Sequence, residues 1–166
     1  MRVLGLALPL LLLAAPVRAD DGDEKRSATK GAFGVGLILG EPTGIDAKLY
    51  LRDDQAIQGA VGFAFAGGGV QVHADYVFHP LILQQRPSFV LPLYIGPGLR
   101  FIDYTGSKDG SSVGVGLRGV VGMLFDFKNV PLDAFVEVAG VLGYHFKDGD
   151  GWGPDFNVGA GVRYYF

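Results

Sequence analysis

The stretch FNVGAGVRYYF, residues 156–166, contains the pattern that decides the fold. Every second position holds an apolar or aromatic side chain, and the positions between are mostly glycine or polar. Successive side chains of an extended chain point to opposite faces, so this alternation predicts a β-strand with one apolar face. The residues on that face are Phe156, Val158, Ala160, Val162, Tyr164 and Phe166.

The same alternation recurs seven more times between residue 32 and this stretch, and helical periodicity never takes over. Turns rich in glycine, proline and aspartate separate the runs. Pro92 and Pro97 predict a bulge or irregular pairing in the fifth strand, because proline cannot donate to a sheet ladder. The predicted strands cover residues 33–39, 45–52, 57–65, 70–78, 89–102, 113–125, 132–146 and 156–166.

The two faces of these strands differ in composition. One is almost wholly aliphatic and aromatic, whereas the other combines glycine with charges of both signs. A water-soluble barrel with the apolar face inward would show water a surface made mostly of glycine. We therefore predict an all-β fold, an eight-stranded antiparallel transmembrane up-and-down β-barrel, with the apolar face toward lipid. Its lumen would hold a charge network of Asp46, Lys48, Asp75, Arg100, Arg118, Asp133, Glu137 and Arg163.

Aromatic residues gather toward the ends of the predicted strands, as expected where a lipid layer meets water on two sides. One belt contains Phe33, Phe78, Phe89, Phe125, Phe127 and Phe166, and the other contains Phe65, Phe101, Phe146 and Phe156. The lipid-interface aromatics predicted from this pattern are Phe33, Phe65, Phe78, Phe101, Phe125, Phe146 and Phe156.

The other end of the chain predicts export. Arg2 precedes an apolar, leucine-rich run, and Val17, Arg18 and Ala19 fit the small-residue pattern of a signal peptidase site. We expect residues 1–19 to be a cleaved secretory signal, residues 20–31 a polar flexible leader and residues 32–166 the barrel. The chain has no cysteine, a net charge of −3 and no basic run, so no nucleic-acid partner is expected.

With its export signal, alternating strands and final Val162, Tyr164 and Phe166, the chain resembles the small eight-stranded outer-membrane barrels of bacteria. That class includes the transmembrane domain of outer-membrane protein A and the proteins called X and W. The resemblance implies a monomer in the bacterial outer membrane, in contact with membrane lipid and lipopolysaccharide. It also implies that Val162, Tyr164 and Phe166 form an assembly signal for the barrel-assembly machinery.

Three functions remain open for such a barrel. The interior charges favour a plugged, charge-paired lumen and a structural or surface-binding role, while rearranged pairs would give a narrow gated channel. Some barrels of this kind modify lipid A by acyl hydrolysis, for which His73, Asp75, His145, Ser111 and Ser112 are the available groups. No spacing of these groups establishes a catalytic site, so no enzyme activity is predicted.

Metal and cofactor motifs are weak. Asp148, Asp150 and Asp155 lie in a glycine-rich loop that lacks the full calcium pattern, so a turn is expected there. The glycine-spaced run of residues 34–40 is not followed by a helix, which argues against nucleotide binding. No cofactor and no metal are predicted.

Overall fold

A computed structural model describes residues 30–65, 68–104, 112–146 and 151–166, with only the backbone at residue 112. The predicted signal and most of the predicted leader lie outside the described residues. Within them there is no helix long and apolar enough to cross a membrane. Eight β-strands account for most of the described chain: β1 Phe33–Gly40, β2 Thr43–Arg52, β3 Gln55–Phe63, β4 Val70–Gln85, β5 Phe89–Tyr104, β6 Ser112–Phe127, β7 Leu132–Phe146 and β8 Gly151–Tyr165.

Each strand pairs antiparallel with the next one in the chain, and β8 pairs with β1, so the sheet closes into a ring. The closing register places Gly36 opposite Arg163 and Leu37 opposite Val162. We call the end of the ring where β1 begins and β8 ends the near end, and the opposite end the far end. The predicted all-β, eight-stranded antiparallel arrangement is confirmed, and the ring is compatible with a small β-barrel.

The two faces of the ring follow the alternation. Apolar side chains of all eight strands are exposed on the outer face, including Leu37, Ile45, Val61 and Leu117. The inner face holds buried side chains, both apolar and charged, such as Phe135 and Arg163. The core therefore lies inside the ring and contains ionic groups, while the surface of the ring is apolar.

Strand β4 is longer than the sequence pattern predicts. It was expected to end near Phe78, but it continues through Pro80 to Gln85. The pairing of β4 with β5 shifts register twice, between Phe78 and Leu81 and again between Ile82 and Gln84. Pro80 lies inside the first shift and Pro92 at the second, where a missing N–H donor is tolerated. Opposite β6, by contrast, Pro97 keeps the regular register.

Strand β8 begins at Gly151, five residues before the predicted start at Phe156. Gly151, Gly153 and Pro154 read as loop residues in the sequence, yet they pair with β7, with Trp152 opposite Tyr144. As a result Phe156 lies opposite Gly140 within the strand rather than at its end, and Trp152 takes the far-end position. Phe78 likewise lies inside the extended β4.

The near half of the interior is filled by large side chains seated against glycines. A Cβ atom at Gly34 would lie 2.8 Å from the Tyr165 ring, and one at Gly161 would lie 2.6 Å from the Phe135 ring. Tyr94 occupies the equivalent space in front of Gly122. These glycines are needed because a narrow eight-stranded ring has room for a large side chain only where its neighbour has none.

Lys30, predicted to belong to the flexible leader, is buried in the folded body. Its Nζ atom contacts the carboxylate of Asp126 and donates to the carbonyl of Leu132. Ala32 accepts a hydrogen bond from the N–H of Tyr50. Residues 30–32 therefore pack at the near end of the ring, where Lys30 ties them to the end of β6 and the start of β7.

Candidate functional site

Arg118 on β6 is the centre of the polar interior. Its Nε atom donates to both oxygens of Asp75, at 3.0 and 3.1 Å, and its Nη2 atom donates to Oε1 of Glu137 at 2.6 Å. Nη1 donates to Oδ1 of Asn157 at 2.9 Å. One guanidinium on β6 thus joins strands β4, β7 and β8 across the ring with charge-assisted hydrogen bonds.

Both carboxylate oxygens of Glu137 accept hydrogen bonds. Its second oxygen, Oε2, accepts from the hydroxyl of Tyr94 at 2.7 Å and from Nε2 of Gln58 at 3.0 Å. A buried carboxylate is tolerated only where its oxygens are hydrogen-bonded, and here both are. Arg118, Glu137, Tyr94 and Gln58 therefore form one network that crosses the interior.

A second ionic group lies toward the near end, around Arg163 on β8. Arg163 contacts the carboxylate of Asp46, and its Nη1 atom lies 3.6 Å from Oδ2 of Asp133. Tyr165 donates its hydroxyl proton to the same Asp133 oxygen at 2.6 Å. The guanidinium also stacks on Phe135, 3.8 Å from the ring centroid. Charge pairing and the cation–π contact together compensate this guanidinium for the hydration that it loses on burial.

Lys48 is held mainly by aromatic groups. Its Nζ atom lies 3.0 Å from Nε2 of His79 and over the rings of Tyr50 and Tyr94, at 5.0 and 4.7 Å from their centroids. His79 itself stacks on Tyr50. The ammonium is therefore surrounded by ring faces, which attract a desolvated cation.

The far half of the interior contains fewer contacts. Arg100 on β5 reaches across to Asp155 on β8, and the hydroxyl of Tyr104 lies 3.2 Å from Nε2 of His145. The Asp155 side chain is 39% exposed, whereas that of Arg100 is 2% exposed. This pair therefore joins a buried cation to a carboxylate that reaches solvent.

The predicted charge network is thus divided into three ion-pair groups, centred on Arg118, Arg163 and Arg100, and Lys48, which contacts His79 and aromatic rings. All eight of its residues are buried on the inner face. With Lys30 and Asp126 included, five buried cations face five buried carboxylates among the described residues. The interior is close to electrically neutral, which is what an ionic interior shielded from water requires.

The sequence pattern did not single out several partners in this network: His79, Asp126, Gln58, Asn157 and Lys30. Asn157 and Gln58 lie on predicted inner faces, so their side chains were expected to point inward. His79 was placed in a connection that the structure makes part of β4. Which residues meet across the ring depends on side-chain reach, for which alternation gives no signal.

His73, Asp75 and Glu137 place potential ligand atoms within 4.8 Å of one another. Arg118 already occupies both oxygens of Asp75 and one of Glu137. A cation entering there would have to displace the guanidinium. The donor set therefore fits an ion-pair centre better than a metal centre.

The groups available for acyl hydrolysis are not arranged as a catalytic site in the part of the chain that the structure describes. Nε2 of His73 lies 3.9 Å from Asp75, which is too far for a hydrogen bond. His145 contacts Tyr104 instead. Ser111 and the side chain of Ser112 lie outside the described residues. The same is true of Asp148 and Asp150 in the candidate calcium loop.

The residues predicted to contact lipid or the assembly machinery all lie on the outer face. Exposed aromatic side chains there include Phe33, Phe65, Phe78, Phe101, Phe125, Phe146 and Phe156. Val162, Tyr164 and Phe166 are exposed too, and Tyr164 and Phe166 pack edge to face. Their roles at a membrane and in assembly stay predictions.

No family model, no curated protein and no solved structure matches this chain. The geometry alone defines the protein as an all-β ring of eight antiparallel strands with a charge-paired interior and no helices in the described residues.

Proposed function

We propose that this protein is an integral β-barrel of the bacterial outer membrane with a structural or surface-binding role and a plugged lumen. The observation that carries the proposal is the outer face, on which every strand exposes large apolar side chains. Soluble monomers rarely expose an apolar patch larger than a few hundred Å². An apolar band around the whole ring is instead what a lipid layer would cover.

The backbone supports the same proposal. In lipid every N–H and C=O group must be paired within the protein, and a closed ring of strands has no free edge. Strands β4 to β8 have 15 or 16 residues and β1 to β3 have 8 to 10. About 9–11 residues suffice to cross the hydrocarbon layer at a tilt, a length that every strand except the 8-residue β1 reaches.

The ion pairs and the packing of the interior support a plugged lumen. The layer around Arg118 includes the hydrogen bond of Gln58 on β3 to Glu137 on the opposite strand β7, the Arg163 layer joins β8 to β2, and large rings fill the near half. Ions could pass only if these pairs separated. Neither a gated channel nor lipid A hydrolysis has a specific contact in its favour among the described residues.

Cell fractionation tests the membrane proposal. We expect the protein to stay in the envelope pellet through an alkaline carbonate wash, to dissolve in detergent, and to migrate differently on gels before and after boiling. A soluble periplasmic protein made in the same cells is the control, and osmotic shock should release it. Recovery of this protein in the shock fluid, as a band that boiling does not shift, would overturn the proposal.

A further inference from the structure

Three buried polar side chains in the far half of the ring have atoms that no described residue hydrogen-bonds. These atoms are Oε1 of Gln71, Nδ1 of His73 and Nε of Arg100. The three residues are 0%, 3% and 4% exposed. Leaving a buried donor or acceptor unpaired is unfavourable, so three such atoms on neighbouring residues point to a site that takes a ligand.

The three side chains are neighbours on one wall. His73 on β4 pairs directly with Arg100 on β5, and Gln71 is two residues farther along the same inner face. On the other side of the interior, Gly143 on β7 pairs with Gly153 on β8, and neither residue has a side chain. A Cβ at Gly143 would lie 3.5 Å from Nη2 of Arg100, and one at Gly153 would meet nothing within 4 Å. The Arg100 guanidinium therefore packs against Gly143, and the open space lies in front of Gly153.

The ion pair of Arg100 differs from those of the other buried arginines. Arg118 and Arg163 each have two buried carboxylates. Within the described residues, the ion pair of Arg100 is with Asp155, whose side chain reaches solvent. A carboxylate of the protein itself thus occupies one side of this guanidinium, and it can move outward without being buried elsewhere.

We propose that the far end of the interior binds a small oxyanion, a carboxylate or phosphate group, on Arg100. A guanidinium presents two parallel N–H donors that match two oxygens of such a group. Nδ1 of His73 supplies a further donor in one tautomer, and Oε1 of Gln71 accepts from a hydroxyl of the ligand. Asp155 swings toward solvent as the oxyanion enters. The hydrogen-bonded layer around Arg118 closes the site on its near-end side, so the site opens only toward the far end.

This proposal goes beyond the membrane assignment. The site lies inside the ring, so it does not depend on what covers the outer face.

Calorimetric titration of the protein refolded in zwitterionic detergent tests the site. Sodium phosphate and sodium acetate are the probes, sodium chloride at equal ionic strength is the reference, and tetramethylammonium chloride is the cation probe. We expect saturable binding of at least one oxyanion. Arg100→Gln should weaken it about tenfold or more. Arg52→Gln, the same charge change at an exposed near-end residue, should leave it unchanged.

Asp155 provides a second, opposite test. Asp155→Asn removes the competing carboxylate, so oxyanion affinity should rise several-fold. Asp53→Asn makes the same charge change at an exposed position near the other end and should have little effect. An equal effect of the two variants would point to long-range charge alone and would contradict a site at Arg100.

A direct measurement on the unaltered protein covers the case in which Arg100→Gln does not fold. The NMR resonance of the Arg100 Nε–H group should move with the same saturation curve as the calorimetric heat. Replacing free phosphate by a phosphorylated lipid in the micelle identifies the source, since a lipid headgroup would then produce the same shift. No saturable oxyanion binding, binding of the cation probe instead, or an unmoved Arg100 resonance would overturn the proposal.

Discussion

Replacing Arg118 by methionine is expected to lower the free energy of unfolding by about 3–5 kcal/mol, because it leaves two buried carboxylates without their cation. Asp75 loses the donor to both of its oxygens, and Glu137 loses the donor to Oε1. Methionine retains much of the apolar volume of the arginine stem, so the loss is mainly electrostatic. Urea unfolding in detergent, followed by gel mobility and circular dichroism, measures it.

The companion variant separates charge from packing. Adding Asp75→Asn and Glu137→Gln to Arg118→Met removes the uncompensated charges, and we expect at least half of the lost stability to return. Arg86→Met, at an exposed arginine in the β4–β5 turn, is the control and should stay within about 0.5 kcal/mol of the unaltered protein. If Arg118→Met is as mild as the control, the central network does not hold the ring together.

Placing an arginine at Val138 is expected to destabilise the inserted protein by about 2–4 kcal/mol, the cost of a cation near the middle of a bilayer. Val138 is on the outer face, 55% exposed, and lies between Val121 and Val158 on the adjacent strands. In water an arginine at such an exposed position would change stability by only about 0.5 kcal/mol or less. The variant therefore distinguishes a lipid-covered face from a water-covered one, and unfolding from lipid vesicles measures it.

Val130 offers the matched control for this substitution. It is an exposed valine in the β6–β7 turn at the near end, outside the strands. Val130→Arg should cost about 0–1 kcal/mol, as expected where the chain reaches the interface. Equal and small effects at Val138 and Val130 would contradict a lipid-covered outer face.

Much of the fold was predictable because alternation fixes which side chains share a face. The number of strands and the shared face of residues such as Arg118 and Arg163 follow from the period of two, and the antiparallel order follows from the short turns between strands. The period fails at β4, where bulges leave Phe78 and Leu81 three residues apart yet both exposed, so the strand was ended too early. The predicted start of β8 was too late for a different reason: Gly151, Gly153 and Pro154 are typical of turns, yet they belong to the strand.

The interior was predictable only as a composition. The sequence indicates charges of both signs on one face, but it does not say that Arg118 pairs with Asp75 and Glu137 while Arg163 pairs with Asp46. Those choices depend on how the sheet curls and closes: β4 and β6 flank β5, and the pairing of β8 with β1 brings Arg163 within reach of Asp46 on β2. Lys30 was missed because the polar run before it contains no strand pattern. Its partner, Asp126, lies 96 residues away in the chain.

Depth-resolved fluorescence quenching tests the central claim, insertion in a bilayer, most directly. The chain has a single tryptophan, so Trp152→Phe combined with Val121→Trp leaves one fluorophore on the outer face of β6, which pairs there with Val138 of β7. We predict strong quenching by lipids brominated deep in the acyl chain and little quenching by aqueous acrylamide. Strong acrylamide quenching without bromine quenching would contradict the account.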